Sequence, residues 1–301
     1  MFYEMHKPIR LIATAAFLSV LSNSALAFGL FDGSPKWGSS TLGTGATITW
    51  SLIPDGTDVL RTADLPSLPP GTNEFLFQDF WTGPSDLASV YSQLVPDDPL
   101  AGEVLFRTAL NNAFNTWSAV TNLNFVEVTD SGLQLAHPEA AGTNAGDIRI
   151  GAFPASGFFD SVAAWDFEPP GGTAFITGYN PTVAGDLSLN KGALFGVAQG
   201  QEGEAFDFSQ GFFNDIEGLL LHEIGHALGL THPAGLTADE LASVMYVGTG
   251  CCDNIHRTLG ADDIAGIQAL YGVRPVPIPA TVWMFTSALM ALGALGRRRA
   301  I

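Results

Sequence analysis

Between residues 222 and 232 the chain reads His222-Glu223-Ile224-Gly225-His226-Ala227-Leu228-Gly229-Leu230-Thr231-His232, three imidazoles and one carboxylate in a single short run. Few folds can accommodate it. Residues four apart on an α-helix share a face one turn apart, so His222 and His226 can direct neutral imidazoles at one metal ion. Glu223 lies about 100° further round the helix, where its carboxylate can reach a water at the metal without being a ligand. Gly229 suits a left-handed or tight turn out of the helix, and His232 can then swing back as a third ligand. Three protein ligands leave a fourth position open, as a catalytic zinc requires and a structural zinc does not. The five specified residues would fall together by accident in a chain of this length with odds on the order of 10⁻⁵.

The flanking residues fit a helix. Asn214-Asp215-Ile216-Glu217 reads as an Asn214 cap with a capping-box glutamate three residues on, which predicts a helix starting near Asp215. Leu221, Ile224 and Leu228 form a buried stripe and leave His222 and His226 on another face. Gly218 and Gly225 each cost such a helix about 1 kcal/mol relative to alanine, which close packing against a neighbouring element would explain.

With Ser243-Val244-Met245-Tyr246 downstream, the motif resembles that of the metzincin clan of zinc endopeptidases, in which a methionine turn lies beneath the metal ligands. Within the clan the chain is most similar to the matrixins. Leu259 to Gly272 resembles that family's closing helix, and Phe106 to Val128 its first long helix and following strand. The likeness spans about residues 45–272, with an insertion at 54–99. It implies an α+β fold: a twisted mixed sheet packed on two long helices, with a small C-terminal subdomain ending in a helix. It also implies a zinc metalloendopeptidase in which His222, His226 and His232 hold one zinc, Glu223 is the general base and Met245 supports the histidines. Protein or peptide substrates would bind extended along an edge strand, expected near Thr173 to Tyr179. A non-catalytic zinc-containing domain used for adhesion or as part of an extracellular matrix is the alternative; Glu223 argues against it.

The neighbouring families fit less well. Pro233 follows His232 where astacins carry glutamate, and the glycine-rich calcium repeats of serralysins are missing. Val247 stands where serralysins have tyrosine and matrixins usually proline. In Gly185 to Asn190, Ser188 takes the place of the histidine that binds a second, structural zinc in matrixins, so that zinc is expected to be absent. Asp160, Asp186 and Asn190 offer hard oxygen ligands for calcium, or simply cap turns.

Other segments describe the chain's surroundings. Lys7 and Arg10, an apolar run from Leu11 to about Leu21, and Ala25-Leu26-Ala27 read as a signal peptide over 1–27. A short segment, 28–44, then precedes the main domain; it is too short for a folded prodomain and holds no cysteine for a cysteine switch. At the other end, 273–301, Val276-Pro277-Ile278-Pro279-Ala280 leads into an apolar stretch to Gly296 and then Arg297-Arg298-Arg299. This tail resembles the PEP-CTERM-like sorting signals of the VPxPA variety that exosortases process in Gram-negative bacteria; an ordinary transmembrane tail anchor is the alternative. Either way the main domain is expected to be exported. Lys and Arg number 12 against 30 Asp and Glu, a formal charge of −18 that disfavours nucleic acid and anionic membrane surfaces. Cys251 and Cys252 are adjacent and form the whole cysteine complement. They could join in a strained ring, pair between chains, or bind zinc with His256.

Ala46 to Leu52 alternates apolar and polar residues and predicts a half-buried strand. Phe106, Leu110, Ala113, Phe114, Trp117 and Val120 predict an amphipathic helix, with strands near 125–128 and 147–150 after it. Pro54 to Pro99, rich in Pro, Gly and Asp, reads as more loop-like, forming either a flap beside the cleft or an added small element.

Overall fold

A computed structural model describes residues 28–60, 81–137, 139–140, 145–157, 162–172, 181–204, 213–235, 237–247, 255–275 and 284. At its centre lies a five-stranded mixed sheet. The alternating stretch Ala46–Leu52 forms β2, with Ile48 and Trp50 buried, and the short strand β1 (Gly29–Leu30) precedes it. β2 pairs in parallel with β3 (Leu123–Glu127) on one side and β4 (Ile148–Phe153) on the other. β6 (Leu187–Asn190) adds in parallel to β4, and β5 (Ala164–Asp166) closes the described edge antiparallel to β6, giving the order β3-β2-β4-β6-β5.

β4 is buried along its whole length because both faces of the sheet are covered. Ile148, Ile150 and Ala152 face the helices. The first long helix, α2 (Pro99–Val120), packs Phe106, Leu110, Phe114 and Trp117 into that layer. Trp117 is fully buried and donates from its indole Nε1 to the Leu221 carbonyl at 3.0 Å, joining α2 to the second long helix, α3 (Ile216–Ala227). The intervening strand Arg149, Gly151, Phe153 faces outward, under a second apolar cluster that includes Ile53, Val59, Trp81, Leu135 and Val183. Arg149 is buried there in a two-pronged ion pair with Asp130, Nε to Oδ2 and Nη2 to Oδ1 both at 2.8 Å, and also donates to the Leu133 carbonyl at 2.7 Å.

One local expectation is made specific and two are corrected. The 54–99 stretch contains a helix, α1 (Leu87–Leu94), capped by Asp86 and anchored by the buried Leu87 and Val90. At two turns, its periodicity was too short to stand out among the prolines and glycines around it. α2 starts at Pro99 rather than at Phe106, because Asp98 accepts from Ala101 N at 3.1 Å and Pro99 fits the first helical position. Finally, Asp215, not Asn214, caps α3. Its Oδ2 accepts from Gly218 N at 3.0 Å while Asn214 pairs, in β8 (Asn214–Asp215), with β7 (Phe195–Gly196). Glu217, freed from capping, accepts a hydrogen bond from Asn112 on α2 at 3.1 Å.

The remaining elements enclose the end of α3. β1 pairs antiparallel with β9 (Leu230–Thr231), so the 28–44 segment is packed onto the domain. Trp37 donates from Nε1 to the Ala227 carbonyl at 2.8 Å. After the short α4 (Ala238–Leu241) comes the closing helix α5 (Ala261–Tyr271), whose Tyr271 hydroxyl accepts from Trp37 N at 3.0 Å and donates to the Leu228 carbonyl at 2.9 Å. The signal sequence, Asp160, the expected edge at Thr173 to Tyr179, Cys251, Cys252 and residues 276–283 and 285–301 of the C-terminal tail lie outside the described residues. Among the described residues no helix is long and apolar enough to cross a membrane.

Removing one partner of a buried ion pair strands the other charge. Arg149→Ala is therefore expected to cost about 3–5 kcal/mol in urea unfolding, and the Arg149→Met, Asp130→Leu double variant to recover most of that loss.

Candidate metal centre

α3 is built to face two ways. Leu220, Leu221, Ile224 and Ala227 are buried in the main core, and a Cβ at Gly225 would run into the Met245 sulfur and lie 3.0 Å from the Trp117 ring. Glycine thus lets the methionine turn approach the helix backbone. The chain leaves α3 at Gly229, whose φ of +108° is a conformation that side chains with a Cβ rarely adopt. β9 follows at once, held by β1, and sets His232 back toward the helix.

The three imidazoles meet at their Nε2 atoms. His226 Nε2 lies 3.1 Å from His222 Nε2 and 2.9 Å from His232 Nε2, and the His222 to His232 separation is 3.2 Å. The opposite nitrogens decide the tautomers. His222 Nδ1 sits 2.6 Å from the Val244 carbonyl and His226 Nδ1 2.8 Å from the Leu230 carbonyl. A carbonyl only accepts, so each Nδ1 must carry the proton and each Nε2 must present its lone pair to the centre. Converging lone pairs repel one another unless a cation lies between them. Nitrogens at ~2.0–2.1 Å from a tetrahedral zinc stand roughly 3.3 Å apart, close to the spacing found. The donor set fits zinc, and among the described residues this is the one cluster of three or more histidine, cysteine or acidic side chains arranged to hold a metal.

Electrostatics favour the ligand form. Burial lowers the His222 pKa to about 4 and carries that of His226 well below its ordinary value; His232, more exposed, is lowered as well. Glu223 follows His222 and is only 7% exposed. Burial pushes its carboxyl up to about 8, opposed by side-chain hydrogen bonding with the neighbouring Asp166 of β5. Asp166 itself is raised well above the carboxylate range, first by burial and then by the charge of Glu223. Sequence reasoning passed over Asp166. Its available signal was an acid two residues after Ala164, on the side of a short apolar strand that faces the core.

The methionine turn is held by a second buried acid that sequence reasoning also missed. Asp263 of α5 accepts from Val244 N at 2.8 Å, Gly260 N at 2.7 Å and Met245 N at 3.3 Å, and from the Ser243 hydroxyl. This clamp places Met245 beneath α3 and aims the Val244 carbonyl at His222.

Of the calcium candidates, Asp186 and Asn190 lie on the side of the sheet opposite Asp166. Asp186 is buried, with Oδ1 accepting from Arg149 N at 2.8 Å and no hydrogen-bond partner at Oδ2. The Asn190 side chain accepts from Gly192 N at 2.9 Å and donates to the Val162 carbonyl at 3.0 Å. Ser188, at the position expected of a second-zinc histidine, is buried in β6. Val247 is 44% exposed.

A mixed sheet backed by two long helices, with a histidine triad at the exit of the second and a methionine turn beneath, defines the metzincin class of domain. The matrixin (Peptidase_M10) family model matches residues 88–272, and the chain belongs to the matrixin family. Over 190 residues it is 30% identical to matrix metalloproteinase-16 of Homo sapiens, covering 60% of this chain and 27% of that protein. It is 31% identical over 175 residues to macrophage metalloelastase of Oryctolagus cuniculus, covering 57% and 31%. With metalloendoproteinase 2-MMP of Arabidopsis thaliana it shares 33% identity over 191 residues, covering 60% and 40%. The chain thus spans well under half the length of these relatives.

Two outcomes are expected. Asp263→Ala leaves several buried N–H donors unpaired and frees the Val244 carbonyl, so zinc affinity in a competition titration should fall about 10–100-fold. In zinc-stripped protein, His222 is neutral when folded and charged when unfolded between its ordinary pKa of 6.5 and about 4. The unfolded chain binds the extra proton in that window, so stability falls as pH falls through it. Urea unfolding at about pH 7 and about pH 5 should show wild type losing more stability than His222→Gln.

Proposed function

We propose that this chain is an exported zinc-dependent endopeptidase that hydrolyses peptide bonds of extracellular proteins. The observation that carries the reading is the convergence of three Nε2 lone pairs beside a buried carboxylate that is not one of them. His222, His226 and His232 would hold one zinc. When bound, zinc supplies Lewis acidity, making a water more acidic and polarising a carbonyl. Glu223 would take the proton of the attacking water and pass it to the leaving amine, a role open to a buried carboxyl beside the triad that is not itself a ligand. Met245 packs beneath the histidines without a ligand's role.

The substrate has a natural docking line. β5 has one side hydrogen-bonded to β6 and ends the described sheet, and it runs past Glu223. An extended peptide can add to such an edge through its own backbone. Membership of the matrixin family supports peptide substrates, and the names of the relatives describe metalloproteinases and an elastase. Residues 1–27 would serve export, 45–272 would be the protease domain with 28–44 packed against it, and 273–301 would be handled by an exosortase-like enzyme of a Gram-negative cell. Calcium at Asp186 remains part of the proposal, through its unpartnered buried oxygen.

The purified full chain should cleave an unstructured protein such as casein. Glu223→Ala is expected to lower the rate at least about 10³-fold while keeping one zinc per chain, and chelation should abolish activity until zinc is restored. Stoichiometric zinc without cleavage of varied peptides would favour a non-catalytic zinc domain instead.

A further inference from the structure

Strand geometry points Asp166 at Glu223. On β5 successive side chains alternate between faces. Ala164 lies in the core shared with α3, while Trp165 packs against the outer apolar cluster. Asp166, two residues after Ala164, therefore returns to the face toward α3, on which β5 packs. Its pairing partner across the sheet is Leu187, fully buried, and Leu189 stands opposite Ala164. A carboxyl on a face otherwise lined by Ala164, Leu187 and Leu189 runs against the pattern of the strand. Its Oδ2 is buried with no hydrogen-bond partner, and the charged groups that bear on it, Glu223 and Glu168, are both acidic. Such an arrangement weakens the folded state, and a residue that breaks the local rule beside a candidate active site suggests a functional role.

We propose that Asp166 is a positioning residue that fixes the Glu223 carboxyl beside the histidine triad through a direct side-chain hydrogen bond. The proposal rests on the endopeptidase reading above. Glutamate has three side-chain torsions, and packing on α3 restrains chiefly the first. The Asp166 bond, issuing from a strand rather than from the same helix, restrains the far end. Holding that end would restrict the directions in which the carboxyl can face the triad. Proton transfer is sensitive to placement at this scale, and a displacement of about 1 Å costs on the order of 10²-fold in rate.

The test compares Asp166→Ala and Asp166→Asn in the full zinc-loaded chain. Asp166→Ala should lower kcat about 10–100-fold, with KM within about 2-fold and one zinc retained per chain. Asp166→Asn keeps an N–H donor in the same place and should recover kcat to within about 3-fold of wild type. Neither variant should melt below wild type, whereas loss of a merely structural residue would lower the melting temperature and the zinc content together. A wild-type kcat in Asp166→Ala, or an asparagine no better than alanine, would overturn the proposal. A readout without turnover keeps it separable from the endopeptidase reading: melting temperatures of Asp166→Ala, Glu223→Ala and the double variant. If the two carboxyls touch, the shifts should depart from additivity by roughly 2–4 °C. Additive shifts would remove the contact and the proposal with it, even if wild type proved inactive; non-additive shifts in an inactive wild type would keep the contact while ending the protease assignment.

Discussion

The histidine geometry depends on a carboxylate that lies on another helix. Asp263 collects the backbone amides of Val244, Met245 and Gly260 and the Ser243 hydroxyl, and so fixes the turn that carries Met245. From that turn the Val244 carbonyl meets His222 Nδ1 and selects the tautomer whose other nitrogen faces the centre. Neither end of this relay touches the position where a metal would sit. Yet without it the first imidazole could rotate or switch tautomer, and the triad would lose one of its three converging lone pairs. The Leu230 carbonyl does the same for His226 from β9.

The rest of the fold is arranged so that α3 cannot shift beneath these contacts. Trp117 binds the Leu221 carbonyl from α2, and Gly225 lets Met245 approach the helix more closely than any side chain would permit. On the other flank the Arg149 and Asp130 ion pair anchors the outer face of the sheet, leaving the inner face apolar except where Asp166 meets Glu223. Three buried acids thus have three different environments. Asp130 is matched by a guanidinium, Asp263 by backbone and hydroxyl donors, and Asp166 by another carboxyl. Only the third is set against a group of its own kind, Glu223.

Much of this was legible in the residues from 222 to 232. Helical spacing brought His222 and His226 together, and Gly229 announced the turn that returns His232. The apolar stripes of α2 and α3, the β2 alternation and the close packing implied by Gly225 could also be read, since each is a local periodicity or a single residue with a strong backbone preference. What escaped notice has another physical origin. Asp166 bears on Glu223 57 positions away, and Asp263 reaches the methionine turn 18 to 20 positions away, contacts that no helical or strand period encodes. The α3 cap moved by one residue because Arg257, from beyond the metal motif, pairs with Asp215 and holds it in the capping position. The helix at Leu87 to Leu94 owes its place to tertiary packing of Val90 and Leu87 rather than to its own length.

The pairing of β1 with β9 also governs when the site can come into being. Gly29 and Leu30 bind Leu230 and Thr231, immediately before His232, while Trp37 and Tyr271 fasten the Ala227 and Leu228 carbonyls at the exit of α3. The β1 pairing and the Trp37 contact with Ala227 join points about 190 to 200 residues apart, among the longest loops the chain can close, and contacts of such sequence separation form slowly. The α3 helix with His222 and His226 can form early from local contacts, whereas His232 is seated only when both distant segments have docked. Completion of the ligand set is thereby tied to the docking of a distant segment, and metal affinity reports on that closure as well as on the histidines themselves.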